Sequence, residues 1–182
     1  MERETMEYDV VIVGGGPSGL STAIKFAQMN KENGTNYSIC LLEKGSEIGA
    51  HILSGNVFQT TALDELIPNW KDLNAPLNVP VKKDKLLFLL EKISLPVPAF
   101  IMPTMNNHGN YVISLGNLCR WLGEQAENLG VEIFPGFPAS KLLYEGDKVV
   151  GVQTGDMGID AKGDLKPANE PGIEIRAKYT IL

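Results

Sequence analysis

The chain has 182 residues, 43% of them hydrophobic, and a formal net charge of −6 from 16 basic and 22 acidic side chains. That is enough apolar material for one domain with a real core, or for one domain carrying an insertion. The acidic balance and the lack of a basic stripe exclude nucleic acid as a favoured partner, and the two cysteines, Cys40 and Cys119, belong to no CxxC or Cys/His cluster, so they read as packed thiols rather than metal ligands.

The N-terminal MERETMEYDV passes directly from charged residues into an apolar run, which leaves no room for a signal or transit peptide. Val10 to Val13 has no polar alternation, as expected of a parallel strand buried on both faces. The run then breaks into Gly14, Gly16 and Gly19. Gly14 permits a tight turn, Gly16 lets a pyrophosphate approach the backbone, and Gly19 lets the following helix lie close on the sheet. Pro17 suits the first turn of that helix. Leu20, Ala23, Ile24 and Ala27 mark its buried face, and Gly34 is its stop. A polar loop is expected over Asn30 to Asn36, then a second strand from Tyr37 to Leu42 that ends on Glu43. An acidic residue at that strand tip accepts hydrogen bonds from a ribose and repels a ribose 2'-phosphate, so NADP is the least favoured nucleotide. Strand, glycine turn, helix and acidic strand tip together read as a dinucleotide-binding crossover.

GSEIGAHILSG follows, rich in glycine and serine and without helical periodicity. Gly49, His51, Ser54 and Gly55 lie either in an ordinary surface loop or where an extended cofactor would run. Residues 56–112 then leave the alternation of strand and helix and read as an insertion. Phe58, Ala62, Leu63, Leu66, Ile67 and Trp70 share a helical face ended by Pro68, a face that serves either as core or as a membrane-surface contact. Pro96, Pro98 and Pro103 interrupt an apolar stretch, and His108 reads as a loop histidine. No run reaches the roughly 18 apolar residues of a spanning helix, LLFLL at 86–90 being the longest, so membrane attachment is expected only at the surface.

Periodicity returns at Ser114, the expected N-cap of a helix with Leu115, Leu118, Leu122, Ala126 and Leu129 on one face and Gly130 after it. Arg120 lies on the flank of that face, where it either reaches a diphosphate or stays solvated. Val131 to Phe134 is a third strand. SKLLYE and KVVGVQT flank Gly146-Asp147, the signature of a hairpin. GDMGIDAKGDLKPANEPG reads as a loop, and IEIRAKYTIL as a closing strand whose apolar end suggests truncation. The expected fold is α/β, an FAD-binding Rossmann-like parallel sheet with an antiparallel hairpin excursion and an inserted segment, incomplete at the C-terminus. Its divisions fall at 1–55, 56–112 and 113–182.

VVIVGGGPSGLSTAIK, LLEKGSEIGAHILSG, NNHGNYVISLGNLCRWLGEQAENLGVEIFPGF and GDMGI followed by IRAKYTIL together resemble the N-terminal part of the electron transfer flavoprotein-ubiquinone oxidoreductase family, from Tyr8 to the end. The resemblance implies an electron-transferring-flavoprotein dehydrogenase that takes electrons from reduced electron transfer flavoprotein and passes them to ubiquinone, with FAD and one four-iron four-sulfur cluster. It implies Gly14, Gly16, Ser18 and Gly19 as the FAD diphosphate loop, with Glu43 as the ribose acceptor. Gly49, His51, Ser54 and Gly55 would form a wall near the flavin. The cluster cysteines would lie in a missing C-terminal part, so the fragment alone would be inactive. It implies monotopic contact with the inner membrane, on the cytoplasmic face in a bacterium or the matrix face in a mitochondrion, through the segment from Phe58 to Trp70. Another flavoprotein of this architecture, of geranylgeranyl reductase or aromatic hydroxylase type, and a non-catalytic nucleotide-binding module are the alternatives.

Overall fold

A computed structural model of the chain describes residues 3–98, 106–159 and 165–182, so Pro103 lies outside the described residues. Two compact units emerge, Met1–Ile52 with Cys119–Leu182, and Leu53–Leu118.

The first unit opens with β1 (Thr5–Val13), α1 (Pro17–Asn33) and β2 (Ile39–Glu43). Helix α1 runs past its last buried residue, Ala27, to the expected stop at Gly34. It takes up most of the expected Asn30 to Asn36 loop and ends where Gly34 adopts the left-handed conformation at φ +64° with its N–H on Asn30 O. The Asn30 side chain holds the exit, donating to Tyr37 O and accepting from the Thr35 hydroxyl.

The second unit contains β3 (Asn56–Phe58), α2 (Thr61–Leu66), β4 (Val79–Pro80), β5 (Leu86–Leu89), β6 (Ser94–Val97) and β7 (Tyr111–Ile113). The expected helical face over Phe58 to Trp70 is divided here. Phe58 is in a strand paired with Tyr111, α2 is only six residues long, and Trp70 follows in turns. Leu63, Ile67 and Trp70 are buried. The Trp70 indole stands edge-on to Tyr111 at 5.9 Å and donates to Asp64 at 2.7 Å. Three of the six residues of the expected face are thus core, whereas Phe58 and Leu66 are half-buried and Ala62 is exposed.

Helix α3 (Leu115–Asn128) spans the division between the units. It is followed by β8 (Glu132–Pro135), β9 (Ala139–Glu145), β10 (Lys148–Thr154), β11 (Met157–Ile159), β12 (Leu165–Glu170) and β13 (Glu174–Ile181). The main sheet has the order β8-β2-β1-β13-β10-β9, parallel across its first four strands and antiparallel through the β9–β10 hairpin. The segment read as a loop from Gly155 to Gly172 holds a second hairpin, in which Met157 pairs with Glu170.

Alternation along the inner strands builds two apolar rows. Val11, Cys40, Leu42, Val152, Ile175 and Ala177 form one, with Tyr8, Phe134 and Phe137 packed against it. Val10, Ile12, Ile39 and Leu41 point to the other face. Burial of a Val, Leu or Ile contributes about 1.5–3 kcal/mol, so these rows outweigh the exposed ion pairs. Both cysteines are free and buried. Burial pushes the Cys40 thiol up to about 12 and the Cys119 thiol up to about 11.

Asp156 ties the chain start to the sheet, accepting from Arg3 and from Gly172 N–H. The bond from Arg3, then that from Gly172, brings its pKa down to about 2. A carboxylate lowered by folding stabilises above its unfolded pKa and loses that contribution as pH falls through the folded value. Asp156→Asn is therefore expected to flatten the fall of Tm between about pH 4 and pH 2, as scanning calorimetry across that range would measure.

Candidate functional site

The first strand-to-helix turn presents bare backbone. Gly14 N–H bonds Leu42 O at 2.8 Å, and Gly14 turns the chain at φ +108°, a conformation that disfavours side chains. Gly16 is the N-cap of α1 in extended conformation; it supplies no side-chain cap, and no acidic residue occupies the first turn. The first-turn amides of Ser18 and Gly19 have no intrahelical acceptor, and the helix dipole is positive there. A Cβ on Gly16 would meet no protein atom within 4 Å. A Cβ on Gly19, by contrast, would lie 2.0 Å from Gly14 O, so glycine is what seats α1 on β1.

Glu43, at the tip of the neighbouring strand, reaches this turn. Its Oε2 accepts from Gly15 N–H at 2.8 Å and its Oε1 from Gly45 N–H at 2.7 Å. One carboxylate thus joins the glycine turn to the loop after β2 and retains lone pairs for further donors. Gly136 N–H and Phe137 N–H bond Gly45 O and Glu43 O, drawing the exit of β8 to the same edge. Burial first, and the Glu43 charge second, push the Cys119 thiol up.

Four residues that the motif reading passed over complete the turn. A Cβ at Gly15 would lie 2.4 Å from Ile48 Cδ1, and one at Gly123 on α3 would lie 3.6 Å from Ile48 Cγ1. Ile48 is therefore wedged between two glycines. A Cβ at Gly45 would lie 3.1 Å from Glu43 Oε1. Three consecutive glycines at 14–16 were the available signal, because a GxGxxG template ignores the middle one.

The remaining expected residues are less concentrated. Arg120 lies 3.3 Å from Glu47 Oε1 and borders an open cleft of about 220 Å³ with Ile48, Gly123, Glu124 and Ile133. Gly49, at φ +85°, accepts from Ile52 N–H in the turn that exposes His51. The Glu43 bonds do not extend to either. Ser54 and Gly55 belong to the second unit, where Gly55 N–H bonds Ile113 O.

A family model described as NAD(P)-binding Rossmann-like domain matches residues 12–73, from the end of β1 to the turns after α2. Electron transfer flavoprotein-ubiquinone oxidoreductase of Pseudomonas aeruginosa is 57% identical over the whole chain, and the mitochondrial protein of that name from Mus musculus is 50% identical, also over the whole chain. The chain's resemblance is to the N-terminal third of the electron transfer flavoprotein-ubiquinone oxidoreductases. It spans 34% of the Pseudomonas oxidoreductase and 30% of the mouse oxidoreductase. Among solved structures, a geranylgeranyl bacteriochlorophyll reductase-like protein from Thermoplasma acidophilum aligns over 97% of this chain and 38% of its own, with TM-score 0.67 and 22% identity. A myxobacterial chondrochloren halogenase, described as FAD-dependent, aligns over 96% of this chain and 36% of its own, with TM-score 0.59 and 19% identity. At such identities these structures share only the fold with this chain, which is of the α/β Rossmann-like class.

Proposed function

We propose that the chain is the FAD-binding part of an oxidoreductase that passes electrons from reduced electron transfer flavoprotein to ubiquinone. The observation that carries this is the Glu43 carboxylate beside an uncapped helix N-terminus, in a chain 57% identical to an oxidoreductase of that name. Gly16, Ser18 and Gly19 hold the diphosphate by main-chain amides, a contact worth on the order of 1 kcal/mol for a favourable helix terminus, and Gly14, whose N–H is committed to Leu42 O, makes the turn that brings them to it. Glu43 accepts from the ribose with its remaining lone pairs. Arg120 adds charge when released from Glu47, and Gly49 and His51, in the loop after Glu43, lie on the flavin's side of the first unit. When bound, FAD accepts electrons singly or in pairs, so the protein's task is to hold it, orient it and limit its contact with water. In this reading an iron-sulfur cluster takes no ligand from Cys40 or Cys119, both of which are packed in the interior.

FAD is favoured over NAD by the extended loop after Glu43 and by the late hairpins. Equilibrium dialysis with each nucleotide tests this, and a preference for NAD would overturn it. The catalytic reading requires the purified holoprotein to reduce a ubiquinone analogue with reduced electron transfer flavoprotein as donor.

Residues 56–112 act in this reading as an insertion carrying the membrane contact, on the cytoplasmic or the matrix face of an inner membrane. No helix among the described residues is long and apolar enough to cross a membrane. The contact is assigned to the β5–β6 hairpin, where Phe88, Leu89, Leu90 and Ile93 are 59%, 70%, 50% and 57% exposed. Leu86 to Leu90 is apolar without a break, and successive side chains of a strand point to opposite faces, so both faces of the ribbon are greasy, an arrangement costly in water. Phe88→Asp with Leu89→Asp is expected to abolish vesicle co-sedimentation while leaving Tm within about 1 kcal/mol equivalent, as exposed sites do.

A further inference from the structure

The same hairpin carries charge at both of its ends. Lys82, Lys83 and Lys85 precede β5, and Lys92 sits in the turn between β5 and β6; all four are exposed. Only Asp84 and Glu91 oppose them in that stretch, in a chain whose net charge is −6. Between the lysines lie Leu87, Phe88, Leu89 and Leu90, all exposed. We infer that the β5–β6 hairpin lies along an anionic phospholipid surface, with lysines at its base and at its turn both held by headgroup phosphates. The inference rests on the membrane contact proposed above and adds the lipid's charge and the hairpin's attitude.

Two features of the ribbon favour this attitude over insertion by the tip. Its turn holds Glu91 and Lys92, and a charged turn is expensive to carry into hydrocarbon. The ribbon also has only two strands, joined by the Leu90 N–H to Ile93 O bond at its end. Its outer edges leave main-chain groups that hydrocarbon cannot satisfy. Lying in the headgroup layer, the ribbon wets those groups, buries leucine and phenylalanine side chains at the acyl boundary, and keeps each lysine within reach of phosphate.

Co-sedimentation of the holoprotein with vesicles of phosphatidylcholine alone, and of phosphatidylcholine mixed with phosphatidylglycerol, tests this. Each lysine near an anionic surface adds about fivefold to partitioning and each acid offsets a similar amount, so a preference of about 25-fold for the mixed vesicles is expected, fading with added salt. Lys82→Gln and Lys92→Gln should each lower binding to the mixed vesicles by about fivefold and leave binding to phosphatidylcholine unchanged. Equal binding to the two vesicle types, or tighter binding by Lys92→Gln as tip-first insertion requires, overturns the inference while leaving membrane contact standing. Absence of binding to both vesicle types removes the membrane reading itself, and the inference with it. Circular dichroism of each variant separates lost binding from lost folding.

Discussion

Gly16→Val is expected to yield a folded protein without flavin, whereas Gly19→Val is expected not to fold. The two positions are three residues apart in one turn, but their surroundings are opposite. At Gly16 the backbone is in ordinary extended conformation and a Cβ meets nothing within 4 Å. Valine there gives up only the modest advantage of glycine at an N-cap, about 1 kcal/mol. Its methyl groups would fill the approach to the Ser18 and Gly19 amides, and a diphosphate would lose them as donors. FAD affinity should fall at least about tenfold, or 1.4 kcal/mol of binding, and the flavin-to-protein absorbance ratio of the purified variant should drop with it. At Gly19 the added carbon falls 2.0 Å from Gly14 O, and Gly14 C and Ile12 Cγ2 close the space behind it at 3.2 and 3.4 Å. Two of these three are main-chain atoms of a turn that already uses φ +108° at Gly14, so the clash is relieved only by lifting α1 from β1. About 3 kcal/mol or more of destabilisation follows. Thermal unfolding measured beside the absorbance ratio separates the effects. Full flavin loading of Gly16→Val would remove the diphosphate assignment.

What could be read from sequence is what short-range pattern determines. The glycine turn, the α1 face of Leu20, Ala23, Ile24 and Ala27, the strand ending on Glu43, and the Gly146-Asp147 hairpin each declare themselves within a few residues of chain. The misread elements depend on distant partners. Phe58 continues a helical spacing by coincidence of number; it is a strand residue because Tyr111 lies opposite it. The β11–β12 hairpin is hidden by a run of glycine, aspartate and proline that carries no alternation, and its pairing of Met157 with Glu170 follows from the fold. Pro96 disguised β6, yet proline is tolerated in a strand with a free edge, as in this two-stranded ribbon. Within the site, a motif template singles out Gly14, Gly16 and Gly19, but the demand on Gly15 comes from Ile48 and Glu43, both beyond the template. LLFLL is far too short to span a membrane, and only the pairing of β5 with β6 shows that its side chains stand on both faces of an exposed ribbon.

Glu43→Ala is expected to lower both stability and nucleotide affinity, and Glu43→Gln separates the two. The carboxylate bonds Gly15 N–H with one oxygen and Gly45 N–H with the other. Alanine leaves two part-buried amides without that acceptor. Each such loss costs about 1–3 kcal/mol, and access of water favours the low end, so about 2 kcal/mol in total is expected. Glutamine keeps one acceptor oxygen but turns an amide donor toward the second N–H, so it should recover roughly half of that stability. If Glu43 were only a strut between Gly15 and Gly45, ADP affinity measured by calorimetry well below Tm would be nearly the same in the two variants once each is folded. A carboxylate that also grips the ribose makes affinity fall in order, with Gln weaker than Glu and Ala weaker still, by about tenfold overall as expected for loss of a hydrogen bond to a charged group. Equal ADP affinity in Gln, Ala and the parent protein would reduce Glu43 to a scaffold residue, and with it the reason to place a nucleotide's sugar at the tip of β2.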